Sequence, residues 1–200
     1  MFDAKLRPVI DPPLNAAARQ LVRLGVSANM LTIAGALIGL GAAAAIALQY
    51  YTAGLLLVAA NRLLDGLDGP VARIKGPSEF GGYLDSLADF LFYVSVPAAF
   101  GIANPANALP ALFLVSSFTI TAVSFLAFAA VAARAGANDG AHGKKAFIYS
   151  TGLMEGAETI AFFIAMCLFP LWFPALAWIF TALCVATVLQ RIAMARRQFD

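Results

Sequence analysis

Charge is scarce in this chain. Of its 200 residues, 12% are charged and 62% are hydrophobic. Soluble domains usually carry about 25% charge and about 45–50% apolar residues. The balance excludes an ordinary solvated surface and fits a chain whose solvent is mostly lipid. Cysteine is scarcer still. Cys167 and Cys184 lie in apolar runs without CxxC spacing, which argues against redox or thiolate-metal chemistry and for small apolar side chains in packing roles. No repeat or low-complexity segment is evident. The first 25 residues lack a continuous apolar core and contain Asp3, Asp11, Pro12 and Pro13, so they do not read as a cleaved signal.

What is abundant is apolar sequence in long runs. A helix needs about 20 apolar residues to cross the hydrocarbon, so the chain has room for roughly six spans with short loops. The runs lie at about 28–48, 52–71 and beyond, 80–102, 109–133, 152–169 and 173–194. Ser27 is placed to cap the first. Upstream, Leu14, Ala17, Ala18, Leu21 and Val22 recur at helical spacing, opposite Asn15, Arg19 and Arg23. This predicts a helix over part of residues 1–25, lying in the membrane interface with its apolar face down. A helix packed on protein is the alternative. The expected fold is therefore all-α and integral to the membrane. Six transmembrane helices, over residues 26–200, follow an N-terminal interfacial amphipathic helix.

The cations orient the bundle. Lys5, Arg7, Arg19 and Arg23 precede the first run, and Arg73 and Lys75 end the second. Arg134, Lys144 and Lys145 lie between the fourth and fifth, and Arg191, Arg196 and Arg197 end the sixth. The opposite connections, 49–51, 103–108 and 170–172, carry no charge. Positive residues prefer the cytoplasmic side, so both termini are expected there. Arg62 alone falls deep inside a run, away from its ends. Trp172, Trp178, Tyr50 and Tyr51 suit an aromatic belt at the uncharged side, and Gly35 and Gly39 suit close helix contact.

Against this background four acids stand out: Asp65 and Asp68, three apart, then Asp85 and Asp89, four apart. Each pair shares a helix face. The short link near residues 75–79 makes the two helices antiparallel neighbours, so the faces can meet. Carboxylates converging at low dielectric must bind protons or cations. Hard oxygen ligands suit Mg²⁺, Mn²⁺ or Ca²⁺, and two such ions can hold both sides of a phosphoryl displacement. Gly69 and Ala72 add no bulk beside the acids, and Arg73 supplies a cation for a diphosphate. A carboxylate not occupied by metal could take a proton from an attacking hydroxyl. Arg62, three residues before Asp65, could pair with it or contact phosphate; pairing is favoured.

These residues, Asp65-x2-Asp68-Gly69-x2-Ala72-Arg73 followed by Gly81-x3-Asp85-x3-Asp89, resemble the signature of the CDP-alcohol phosphotransferase family. The link from Arg73 to Gly81 holds seven residues where the signature is commonly written with eight. The resemblance implies a CDP-alcohol phosphatidyltransferase of phospholipid biosynthesis with six transmembrane helices and an interfacial helix, usually homodimeric. It assigns Asp65, Asp68 and Asp85 to metal, Mg²⁺ or Mn²⁺ in a two-metal site. Asp89 would be the catalytic base and also a possible metal ligand. Gly69, Ala72, Arg73 and Gly81 would bind the CDP group. Ser27-Ala-Asn29-Met-Leu-Thr32 resembles a weaker family feature. Asn29 and Thr32 either line the CDP site or serve capping and packing.

The expected partners are membrane lipids, a CDP-alcohol lipid donor, CDP-diacylglycerol foremost, and an acceptor hydroxyl, with no nucleic acid. The expected location is a bacterial inner membrane with a cytoplasmic active site. Lys144 and Lys145 could attract a phosphorylated acceptor or mark only an inside-positive loop. Glu155 and Glu158, three apart, suit the start of the fifth helix, and His142 stands isolated. The competing class is an ion or proton transporter using the buried acids. It requires polar groups across the whole bilayer, where the outer halves offer little beyond Ser95 and Ser116.

Overall fold

The computed structural model describes residues 3–134, 154 and 156–199, with side chains from Ile10 onward. Seven α-helices are described: α1 Asp3–Arg23, α2 Ala28–Ala47, α3 Tyr51–Lys75, α4 Glu79–Ala103, α5 Ala108–Arg134, α6 Gly156–Leu168 and α7 Phe173–Phe199. There is no strand among the described residues. The apolar runs thus become helices within a few residues of where hydropathy put them. Their ends have local causes. Ser27 caps α2 by accepting the Met30 N–H at 3.3 Å, and Ser78 caps α4 by accepting that of Gly81 at 3.0 Å. Short 3₁₀ turns, Pro105–Asn107 and Pro170–Trp172, lead into α5 and α7, each opened by the proline that cannot continue a helix.

Four helical segments are long and apolar enough to cross a bilayer: Ala28–Ala47, Glu79–Ala103, Pro105–Arg134 and Pro170–Phe199. Six spans were expected. The difference has two causes. α3 is 25 residues long, but Arg62, Asp65, Asp68, Arg73 and Lys75 interrupt its apolar character. α6 has only 13 described residues, Gly156–Leu168, although they are strongly apolar.

The N-terminal helix also departs from its expected role. Ala18 is fully buried, and Leu14, Leu21 and Val22 pack with Leu31, Leu64, Leu67 and Val71 of α2 and α3. The apolar stripe is therefore covered by protein, while Arg19 and Arg23 are exposed. Gly66 permits the approach, since a methyl there would lie 3.4 Å from a Leu14 methyl.

α2 packs against both α3 and α4, α4 against α5, α5 against α7, and α3 against α6. The main core is aromatic. Phe100 stacks on Tyr51 and on Phe173 with centroids 5.7 and 4.6 Å apart, and Phe118 meets Phe180 edge-on at 5.0 Å. Phe163, fully buried, meets Phe92 at 5.6 Å. Both cysteines are buried and free. Small residues bring α2 and α3 together: a methyl on Gly39 would lie 3.1 Å from both Asn61 Nδ2 and Phe92 Cδ2. At the uncharged end, Gln49 adopts a left-handed φ of 65° and its Nε2 donates to the Ala103 carbonyl at 2.8 Å.

Candidate active site

The site forms where α2, α3 and α4 converge near the α3–α4 turn. Asp65 and Asp68 lie on α3, and Asp85 and Asp89 on α4. Helical spacing puts each pair on one face, and the 76–78 link folds the faces together. One carboxylate oxygen from each of Asp65, Asp68 and Asp85 lies within 4.8 Å of the other two. A divalent ion bonded to oxygens at about 2.0–2.6 Å allows opposite ligand atoms to lie about 4–5 Å apart. These three side chains therefore fit a hard cation in their donor chemistry and spacing.

Asp89 was expected as the base and a possible metal ligand. It falls outside that three-acid group and is held by Arg62, whose Nη1 lies 3.0 Å from Asp89 Oδ1 and 3.4 Å from Asp65 Oδ2. The pairing of Arg62 with Asp65 is thus present, but the shorter contact is to Asp89. A guanidinium beside both acids neutralises charge that would otherwise repel. Arg62 is itself fixed. Its Nε donates to Asn61 Oδ1 at 2.6 Å, and its Cζ lies 4.2 Å from the Phe92 ring centroid. Asn61, 3% exposed, donates in turn to the Gly35 carbonyl at 2.7 Å.

Thr32 and Asn29 are also placed. The Thr32 hydroxyl donates to Asp68 Oδ2 at 2.7 Å, and both residues are buried. Thr32 therefore orients a carboxylate of the cluster from the neighbouring helix. Asn29 Oδ1 would lie 3.1 Å from a methyl on Gly81, so the starts of α2 and α4 touch there. A side chain at position 81 would fill that junction. Arg73 is exposed and turns back along its helix, its Nη1 3.5 Å from where a methyl on Gly69 would be. Ala72 follows one turn after Asp68 on α3. Pro70 lies between Gly69 and Val71 and gives the Gly66 carbonyl no helical donor. A small recess between α2, α3 and α4 is lined by Thr32, Gly35, Asn61, Arg62, Asp65 and Asp68.

Other sequence expectations fall elsewhere. Lys144, Lys145, His142 and Glu155 lie outside the described residues. Glu158 is half-buried in the first turn of α6. Two polar residues escaped the sequence reading. Asn61 offered a signal, being an amide in an apolar run one residue before Arg62. Arg191 read only as a terminal cation, yet it is 7% exposed and its Nη1 donates to the Thr121 carbonyl at 2.9 Å and to Ser124 Oγ at 3.1 Å.

Four helices long and apolar enough to cross a membrane, with acids gathered where α3 and α4 meet and spaced to suit a hard cation, point to a membrane-embedded enzyme. The profile of the CDP-alcohol phosphatidyltransferase family matches residues 25–190, and the chain belongs to that family. It is 45% identical over 193 residues to the inner membrane protein YnjF of Escherichia coli, covering 96% of this chain and 94% of that one. It is 42% identical over 101 residues to an archaetidylinositol phosphate synthase of Pyrococcus horikoshii, covering 50% of this chain and 53% of that one. Its fold is similar to that of phosphatidylinositol phosphate synthase from Mycobacterium tuberculosis. The form with CDP-DAG bound gives a TM-score of 0.68 at 24% identity, over 91% of this chain and 92% of that one. The form in complex with manganese and citrate gives 0.66 at 24% identity, over 91% and 88%. The chain is an integral membrane transferase of phospholipid biosynthesis.

Proposed function

We propose that this protein transfers a phosphatidyl group from CDP-diacylglycerol to the hydroxyl of an acceptor, releasing CMP. The observation that carries this reading is the three-acid group Asp65, Asp68 and Asp85 with Asp89 held one helical turn beyond Asp85. In this reading Asp65, Asp68 and Asp85 hold Mg²⁺ or Mn²⁺, which supplies charge stabilisation for the diphosphate. Thr32 keeps Asp68 turned toward the cluster. Gly69, Ala72 and Gly81 leave space for the nucleotide, with Asn29 at the edge beside Gly81. Arg73, folded back toward Gly69, reaches the departing phosphate.

Asp89 is the proposed base. Arg62 engages its Oδ1, and the other carboxylate oxygen takes the acceptor proton. The acceptor oxygen bonds to the β-phosphorus, which carries the diacylglycerol. The bond from that phosphorus to the bridging oxygen breaks, and CMP departs with the bridging oxygen. The donor's acyl chains remain in lipid.

The membrane arrangement follows the same logic. α2 to α7 make six crossings, with α3 spanning despite its charges because they converge on a shared site. The N-terminal helix lies across the start of α2 and the C-terminal half of α3, with Arg19 and Arg23 toward the head groups. In this reading both termini, the acids and Lys144 and Lys145 lie on the cytoplasmic side, as the distribution of cations suggests. Residues 26–200 form one catalytic domain, working as a homodimer in a bacterial inner membrane. Lys144 and Lys145 attract a phosphorylated acceptor.

The test is CMP release from labelled CDP-diacylglycerol in nanodiscs, with Mg²⁺ or Mn²⁺ and a panel of acceptors. The panel includes inositol phosphate, glycerol phosphate and serine, and lipid mass spectrometry reads the product. The archaetidylinositol phosphate synthases among its relatives put inositol phosphate first. Metal-dependent CMP release with a new phosphodiester lipid is expected; no CMP with any acceptor removes the proposal. A transporter is disfavoured at the outer side, where Ser95 and Ser116 bond to their own helix carbonyls at 3.2 and 2.8 Å.

A further inference from the structure

The four acids of the signature are not equivalent in this chain. Three converge with ligand oxygens within 4.8 Å of one another, and the fourth is engaged by a cation that the chain itself supplies. Arg62 is not a loose surface arginine. Its side chain is 11% exposed, and four separate contacts set its position: Asn61 at 2.6 Å, Asp89 at 3.0 Å, Asp65 at 3.4 Å and the Phe92 ring at 4.2 Å. The Asn61 end is anchored in another helix through the Gly35 carbonyl. Moving the guanidinium would therefore disturb a buried amide and leave two carboxylates facing each other.

We propose that Arg62 is a resident substitute for a second metal ion: in the donor-free protein it occupies Asp89 and one side of Asp65. A single divalent ion then binds at Asp65, Asp68 and Asp85. The inference rests on the metal-dependent reading above, and it concerns Arg62 as a positioning residue for Asp89. Charge supports it. Four carboxylates and one guanidinium leave three negative charges, and one divalent ion leaves one. A second ion without substrate would make this partly buried group net positive and would have to displace a hydrogen-bonded arginine whose side chain is mostly buried.

The experiment is Mn²⁺ binding to the purified, donor-free chain, read by calorimetry and by electron paramagnetic resonance. The wild type should bind about one tight Mn²⁺ per chain, with the spectrum of an isolated ion. Arg62→Met should bind about two, with the signature of a spin-coupled pair, as expected for ions about 3.5–4 Å apart. Arg62→Lys keeps a cation and should stay near one. Arg62→Met should also gain more thermal stability from Mn²⁺ than the wild type gains, because the added ion replaces a lost counter-charge.

Two tight, coupled ions in the wild type overturn the inference while leaving the transferase reading intact. One ion in both wild type and a folded Arg62→Met also overturns it. No bound Mn²⁺ at all removes both the inference and the metal-dependent reading. If Arg62→Met fails to fold, the wild-type stoichiometry decides alone.

Discussion

The two ends of the bundle are held together by different physics. Toward the α3–α4 turn, cohesion depends on a few directional bonds: Thr32 to Asp68, Asn61 to Gly35, and Arg62 to Asn61, Asp65 and Asp89. Toward the uncharged end it depends on ring area, with Phe100, Phe163, Phe173 and Phe180 fully buried. Directional bonds position atoms but leave few substitutes when one is lost. Packed rings are individually replaceable, and lipid competes for them because it is as apolar as they are. The difference teaches that activity and stability should separate along the length of this molecule.

The sharpest way to break that separation is at the acids. Asp89→Asn should lower CMP release about 10²–10⁴-fold, the usual contribution of a positioned base. Its melting temperature and its Mn²⁺ binding at the other three acids should change little. Full activity in this variant would sink the base assignment. Asp68→Asn should also lose activity, but through lost Mn²⁺ affinity, so the two variants divide the cluster by metal titration.

Next in size is the opposite end. Phe100→Ala removes a ring stacked between Tyr51 and Phe173. Unfolding in mild denaturant should show a loss of about 2 kcal/mol, below the ~3–5 kcal/mol typical of water-soluble cores because lipid solvates the exposed neighbours. Activity per folded molecule should stay near wild type. A variant that is stable but inactive would break the comparison.

Thr32→Val keeps the shape and deletes the donor to Asp68. Metal affinity should fall about 10-fold, as for other residues that orient a ligand, with little loss of stability. Equal affinity in the variant would make Thr32 a packing residue. The smallest effect is expected where the regions meet. Gly39→Ala places a methyl 3.1 Å from both Asn61 and Phe92. A loss of about 1 kcal/mol is expected, with a small drop in metal affinity because Asn61 must shift. Stability and affinity that move independently would show that the two ends are uncoupled there.

Much of this was legible in sequence for physical reasons. Long apolar runs have one satisfactory backbone solution in lipid, so helix positions could be read from hydropathy. Acids in such runs are costly, which made Asp65, Asp68, Asp85 and Asp89 conspicuous. The cap at Ser27 follows from local chemistry and is present. What was not legible depends on side-chain direction across helices. Periodicity put Asp85 and Asp89 on one face, yet Asp85 joins the three-acid group while Asp89 meets Arg62. The i,i+3 rule paired Arg62 with Asp65 but is silent about Asp89, 27 residues away. The stripe on α1 was visible, but a stripe does not say whether lipid or protein covers it. Here α2 and α3 do.

Gln49 has a consequence for motion. By reaching from the end of α2 to the last carbonyl of α4, beside the start of α3, it ties three helices at one point. Of those three, α3 and α4 carry every acid of the site away from that tie. Asp65 stands about 21 Å along α3 from its start beside that tie, at about 1.5 Å per residue. Splaying the helices by about five degrees would therefore move the acids about 2 Å while barely shifting the pivot. The bundle resembles a pair of tongs, tied at the end remote from the acids. A small angular opening at the acids would widen the site without unstitching the aromatic core.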